Sequence, residues 1–332
     1  MPTGLAIPVF LASLVVSIGS SLVFARELDR LSERLGVSEG LHGILTALGA
    51  DAPEVSAAIA ALVAIDRTVG VGVVIGSNVF NLAALLGLSA LIAGHVRIHR
   101  HGLLLNGGAA LLVTAVAAAL VLQAIGAVVA TLLLVVVLAP YTYFLSVGPA
   151  RIKRLVRVRP LQRFLVAAVA EEIRDLRTDE EVPKATLGDV LALAPSLAAI
   201  VLSSIGMVHA AIDLGRRWGV SDLIVGTLVL ASLTSLPNLL TAVRLAVHGR
   251  GAAVVSESFN SNSLNVLAGV ALPALALSLG SATGLVTFSV WWLVGMTLVA
   301  VVFTYTGHGL RRAEGGVVVL LYAAFAAVIA SQ

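Results

Sequence analysis

The sequence predicts an all-α integral membrane fold of ten transmembrane helices in two inverted five-helix repeats. Three observations predict it. The 332 residues are 59% hydrophobic and 12% charged, against about 25% charged in a soluble domain. Runs almost free of charge recur, most of them at least one bilayer crossing long. Short polar patterns of the first half also return 184 residues later.

The spans follow in order. Met1–Ala25 has no charge and no basic leader, so it reads as a first span near 5–25 and not as a cleaved signal. Gly40–Ile65 has only Asp51 and Glu54 as charges and holds the second span, near 40–65. The third, fourth and fifth lie near 69–94, 102–122 and 126–147, the last two parted by the turn "QAIG". The basic stretch 151–188 then links the halves. Spans six to ten lie near 189–211, 222–246, 252–274, 284–306 and 315–331, with "GSATG" as the turn before the ninth. Residues 1–150 are thus the first repeat, 151–188 a linker and 189–332 the second repeat.

The 21 Lys and Arg orient these spans. With the N-terminus outside, 18 of them fall on the cytoplasmic side, nine between Arg151 and Lys184, and only Arg67, Arg216 and Arg217 face out. The positive-inside rule then places both termini outside and the linker in the cytoplasm, as in a prokaryotic-type plasma membrane. The basic excess is therefore topogenic and not a nucleic-acid surface. No cysteine is present, which excludes disulfides and thiolate metal sites. No G-x-x-x-x-G-K-[ST] phosphate loop occurs, and no soluble domain is present to drive an ATP-powered pump. An enzyme reading, a nucleotide or a resident cofactor finds no support.

The second span raises the functional question. In "GADAPE", Gly49–Glu54, two acids sit near mid-membrane, where each costs about 2.5–3.5 kcal/mol on insertion scales. "ADAPEVSAAIAAL" from Ala50 parallels "TSLPNLLTAVRLA" from Thr234, and "IGSNVFNLAAL" from Ile75 parallels "FNSNSLNVLAG" from Phe259. Pro53, Ser77, Asn78 and Asn81 match Pro237, Ser261, Asn262 and Asn265 at one offset of 184. Upstream, "LGVSE" from Leu35 matches "WGVSD" from Trp218 at 183. Each repeat has five helices, an odd number, so the second copy is inverted. Such repeats, with a site at their interface, are a transporter architecture.

Proline removes an N–H and leaves the carbonyl four residues earlier without its helical partner. Pro53 does so to Gly49, and Pro237 to Leu233. Asp51 and Glu54 are three apart and share a face, as do Ser77 with Asn81 and Ser261 with Asn265. Carboxylate, amide, hydroxyl and carbonyl oxygens suit a hard cation such as Na⁺ or Ca²⁺, not copper or zinc. Asp51, Glu54, Asn81 and Asn265 are the leading metal ligands. Two acids this close also repel, and a pair holding one proton could exchange H⁺ for a cation.

"GADAPE…GSNVFN" and "LTSLPN…NSNSLN" resemble the two α-repeats of the cation/calcium antiporter superfamily, which includes sodium/calcium exchangers. The resemblance covers helix pairs 40–94 and 222–274. It implies an exchanger of Ca²⁺ for Na⁺ that works by alternating access, with the first and sixth spans moving against the core. It makes Glu54 the central site glutamate, Ser77, Asn81, Thr234, Ser235, Ser261 and Asn265 further ligands, and Ala47 and Ala231 carbonyl donors. Three departures stand out. Asn238 occupies the place of the second repeat's acid, Ala50 and Asp51 replace Thr and Ser, and Asn265 stands where some exchangers have Asp. Cation/H⁺ exchange in the same fold is the alternative. A passive cation channel or a non-transporting scaffold is the rival from another class.

Other motifs carry plainer readings. Ser56, Gly76 and Gly87 serve close packing, and Asn78 and Asn262 packing and interhelical hydrogen bonds. His42 is too far from Glu54 to share its site. "HVRIHRH", His95–His101, is a metal candidate or a basic loop end, and its charge favours the latter. "RIKRLVRVRPLQRF" in the linker lies on anionic lipid or is simply topogenic. Glu257 precedes Ser261 by four. It recruits cations from the cytoplasm, favours a helix N-terminus, or pairs with Arg244 as an inner gate.

Overall fold

The computed structural model describes residues 3–34, 39–176, 187–280 and 282–332, and the chain is mostly helical. "LGVSE" and the second half of the linker fall largely outside the described residues. Helix α1 (Thr3–Arg34) and α2 (Glu39–Ala64) are followed by α3, Arg67–Ala93. Helices α4 (Arg100–Val121), α5 (Ala127–Leu155) and α6 (Arg159–Leu176) complete the first half and enter the linker. Then come α7 (Leu187–Arg217), α8 (Asp222–Thr234), α9 (Leu236–Val247) and α10 (Gly251–Val266), with α11 (Gly284–Gly307) and α12 (Arg312–Ala330) last. By length and composition, seven described helices can cross a membrane, or eight if the bent pair α8–α9 is one span. Those eight fall on eight of the ten expected spans. The other two expected spans fall on α2 and α10, which carry the acids and one of the Ser–Asn motifs.

Local chemistry sets the helix starts. Asp66 caps α3, accepting from the Thr68 N–H at 2.7 Å, and Ser221 and Thr283 cap α8 and α11. Inside α3, Leu82–Leu88 widens into π turns, and Leu267–Ala271 does the same just after α10. Proline acts differently in the two halves. α2 runs through Pro53 as one helix, while α8 and α9 meet at 45° around Ser235, just before Pro237. Part of the reason is visible at α2, where Ser21 Oγ of α1 donates to the Gly49 carbonyl at 2.9 Å and replaces the missing N–H.

α3 is the centre of the molecule, buried along nearly its whole length among α2, α8, α9, α10, α11 and α12. Small residues permit this. A Cβ on Gly76 would lie 2.1 Å from the Thr227 carbonyl of α8, so only glycine allows the two backbones so close. α1 and α7 pack along each other at the periphery and expose Leu5, Leu11, Leu191 and Leu202, an apolar surface suited to lipid. A two-stranded clip, β1 (His95–Arg97) with β2 (Gly309–Arg311), ties the α3–α4 turn to the α11–α12 turn. The linker is more than a basic segment. Its helix α6 buries Leu165, Ala168 and Val169 and packs on α4, α5, α10 and α2.

Candidate functional site

Six of the candidate side chains form one connected hydrogen-bonded cluster. Asp51 and Glu54 of α2, one turn apart, point the same way and are 1% exposed. Asn238 of α9 bridges them, its Nδ2 donating at 2.7 Å to Asp51 Oδ1 and at 2.7 Å to Glu54 Oε1. An amide has two hydrogens there, one for each acid. Ser261 of α10 donates to Asp51 Oδ1 at 2.6 Å. Asn81 of α3 donates to Ser261 Oγ at 3.1 Å and reaches Glu54 Oε2 at 3.4 Å. Asn265 of α10 donates to Glu54 Oε2 and to Asn78 Oδ1.

The remaining candidates lie around this cluster. Ser235 is within hydrogen-bonding reach of Glu54 and donates to the Ala231 carbonyl at 2.8 Å, which Ser77 Oγ also meets at 3.4 Å. Thr234 is turned back into its own helix, donating to the Leu230 carbonyl at 2.8 Å. Leu233 lies at the α8–α9 bend, with the Ser235 N–H on its carbonyl. Gly49 has its carbonyl engaged by Ser21. Ala47 lies in α2 two residues before Gly49. Asn78 and Asn262 grip each other reciprocally, each donating its amide to the other's backbone carbonyl, at 3.1 and 3.0 Å.

Four oxygens of the cluster have no hydrogen-bond partner among the described residues: Asp51 Oδ2, Asn81 Oδ1, Asn238 Oδ1 and Asn265 Oδ1. A buried acceptor left unpaired costs about 1–3 kcal/mol. Four in one polar cluster, beside two acids and no base, are the chemistry of a cation cage. Glu257 of α10 is half-buried and within electrostatic reach of both acids. Among the described residues no ion pair joins it to Arg244.

The histidines 95–101 form no metal site. Among the described residues no group of three or more His, Asp or Glu could hold one ion. His95 lies in the clip, where burial, then Arg97 and Arg311, hold its imidazole below its ordinary value. His99 instead contacts Glu171 of α6, which also accepts the His99 backbone N–H at 2.7 Å. Sequence reasoning missed Ser21 and the buried acids of α6. The linker's repeated apolar spacing at Leu165, Ala168, Val169 and Ile173 was the signal for a packed face.

Comparisons with known proteins agree with this architecture. The sodium/calcium exchanger protein family model matches residues 5–154 and 189–330. The sodium/calcium exchanger MaX1 of Methanosarcina acetivorans is 27% identical, covering 97% of each chain. The inner membrane protein YrbG of Escherichia coli is 28% identical over 79% of this chain and 76% of its own. Among solved structures, the H⁺/Ca²⁺ exchanger CAX superposes with a TM-score of 0.70 at 17% identity, over 98% of this chain and 85% of that one. The sodium–calcium exchanger NCX_Mj superposes with a TM-score of 0.62 at 21% identity, over 97% and 98%. An integral membrane chain matched by that family model through both of its halves, this protein belongs to the sodium/calcium exchanger family.

Proposed function

We propose that this protein exchanges Ca²⁺ for Na⁺ across a membrane, through one site between α2, α3, the α8–α9 break and α10. The observation that carries the reading is the set of four unpaired oxygens around Asp51 and Glu54. The cation is cargo, held by Asp51, Glu54, Asn81, Asn238, Ser261 and Asn265, with Ser77, Thr234, Ser235 and the carbonyls near each proline as further donors. To accept it, Asn238 turns its Oδ1 inward and gives up its two donated bonds.

Ten spans in two inverted repeats, with both termini outside and the linker cytoplasmic, fit the 18-to-3 basic asymmetry. Contacts at the repeat offset support the symmetry. Glu54 meets Asn238 and Asn78 meets Asn262, each 184 apart. The widened turns at 82–88 and 267–271 also correspond by that offset. Alternating access follows if α1 and α7, packed on each other at the periphery, slide against the core. Glu257, near the acids and without an ion-pair partner among the described residues, serves cation entry from the cytoplasm.

The second reading is cation/H⁺ exchange, favoured by two buried acids on one helix face bridged by a neutral amide. Proteoliposomes separate the readings. Trans Na⁺ accelerates ⁴⁵Ca efflux at fixed pH under the first, and only a trans proton gradient does so under the second. Efflux that follows the membrane potential alone, with no counter-ion, would reject both in favour of a channel.

A further inference from the structure

A second buried carboxyl cluster lies on the opposite flank of α10. Glu172 of α6 is 3% exposed and has no basic partner among the described residues. Ser256 of α10 donates to its Oε1, and Asn106 of α4 reaches its Oε2 at 3.4 Å. Asn260 of α10 donates in turn to Ser256 Oγ at 2.9 Å. Tyr141 of α5 lies 3.5 Å from Glu172 Oε1 and 2.6 Å from Asn106 Oδ1.

Burial without a base among the described residues, together with the arrangement of hydrogens, favours the neutral form of this acid. The Tyr141 hydroxyl has one hydrogen, and Asn106 Oδ1 is the closer acceptor, so it goes there. The tyrosine oxygen then faces Glu172 with no hydrogen between them, unless the carboxyl supplies one. As a neutral acid Glu172 donates to Tyr141 and still accepts from Ser256 and Asn106. As a carboxylate it is buried without a countercharge, a costly arrangement. Burial also raises its pKa above the ordinary carboxylate range. Its neighbour Glu171 has a separate task, accepting the N–H of His99 at the start of α4.

Ser256 and Asn260 share one face of α10, and Glu257 and Ser261 share the next. The helix that lends Ser261 and Asn265 to the ion cluster is thus also the helix that α6 grips through Glu172. We propose that Glu172 is a proton-binding site and that α6 is a proton-controlled latch on the flank of α10. Neutral Glu172 keeps α6 docked. Loss of the proton creates an unpaired buried charge and drives α6 off. The sign is fixed by the direction of burial: the docked state prevails at low pH and gives way as pH rises through the elevated titration point. The other titratable groups on the packed elements are Glu171, Tyr141, Tyr143, Lys153, His99, His101, whose ring meets Phe164 of α6, and Glu257, with Asp51 and Glu54 on α2. None forms an ion pair with Glu172, and the arginines of α4 and α5 do not either. That the latch faces the cytoplasm rests on the orientation proposed above, but its titration does not.

The chain has no cysteine, so one can be placed as a reporter. Ala168 of α6 is fully buried, and Arg163 is exposed on the same helix. Maleimide labelling of Ala168→Cys in the purified full-length protein, normalised at each pH to Arg163→Cys, reads docking without any transport measurement. Labelling is expected to rise at least tenfold between pH 5.5 and 9 with Glu172 present. It should stay flat and low in Glu172→Gln, which fixes the neutral form. Ser256→Ala removes a donor to the ionised form, and is expected to move the midpoint to higher pH. ⁴⁵Ca binding at fixed low pH should be the same in the parent and Glu172→Gln proteins. An equal pH response in Glu172→Gln, or none in the parent, overturns the latch. An unmoved midpoint in Ser256→Ala does so too, should Glu172→Gln fail to fold. Loss of Ca²⁺ binding in the parent protein, with the pH response intact, would reject the exchange reading and leave the latch standing.

Discussion

Asn238→Asp changes almost nothing in shape and reverses the electrostatics of the cluster. In the parent chain the Asn238 amide donates at 2.7 Å to both Asp51 and Glu54. The substitution removes two hydrogen bonds to charged groups, about 1.5–3 kcal/mol each. It also sets a third acid against the other two. At about 4 Å and an effective dielectric of about 20, each like-charge contact costs about 4 kcal/mol. The same charge attracts a divalent ion at that distance about twice as strongly. Without Ca²⁺ the variant is therefore less stable than the parent, and with Ca²⁺ it recovers. Thermal unfolding in detergent measures both arms. At roughly 2–4 °C per kcal/mol, the Ca²⁺-induced rise in Tm should exceed the parent's by at least about 5 °C. Ion release slows as binding tightens, so exchange turnover falls. An equal Ca²⁺ shift in the two proteins would refute the reasoning and remove residue 238 from the site.

Other outcomes follow from the same geometry. Glu54→Gln should fold normally yet lose exchange by at least about a hundredfold, in ⁴⁵Ca flux, because the acid most heavily hydrogen-bonded in the cluster loses its charge; near-parent flux would displace it from the centre. Glu257→Gln should raise the Ca²⁺ concentration needed for half-maximal flux from the cytoplasmic face, while Arg244→Ala leaves it alone, since among the described residues no ion pair joins them; equal effects of both would support the pair. Gly76→Ala should destabilise by about 1–3 kcal/mol, the cost of overpacking, as the new Cβ would lie 2.1 Å from the Thr227 carbonyl; an unchanged Tm in a thermal melt would show that α3 and α8 can part.

Apolar runs and turn signals located the starts of the expected helices to within about three residues, because a bilayer leaves little choice of element, but α1, α5 and α7 run six to nine residues past their expected ends. The match of Glu54 to Asn238 was legible as a shared offset, and the structure brings the two side chains to 2.7 Å. Their hydrogen bond was not legible, because an offset says which positions correspond and not which way a side chain turns. The prolines show the same limit. Both interrupt the same ladder, but Ser21, on a different helix, satisfies the carbonyl before Pro53 and leaves α2 continuous. Thr234 shares the motif yet hydrogen-bonds its own helix, a choice made by rotamer and not by spacing. The linker hid most. Its many arginines mask an apolar face, and its two buried acids look like ordinary solvated charge until Asn106, Tyr141 and Ser256 surround Glu172 and His99 meets Glu171.

The bridging amide of Asn238 also bears on how the protein is made. Its partners Asp51 and Glu54 precede it by 187 and 184 residues. At about 5–20 residues per second of synthesis, the first half waits about 10–40 seconds in the membrane before the residue that bridges its acids has been translated. Ser261 and Asn265 arrive later still. During that interval the acids of α2 have only first-half neighbours, so a nascent half-chain carries a polar seam that Asn81 alone does not close. Completion of the cluster is therefore a late step in biogenesis, and variants of Asn238 should be cleared by membrane quality control more than their effect on the finished fold implies.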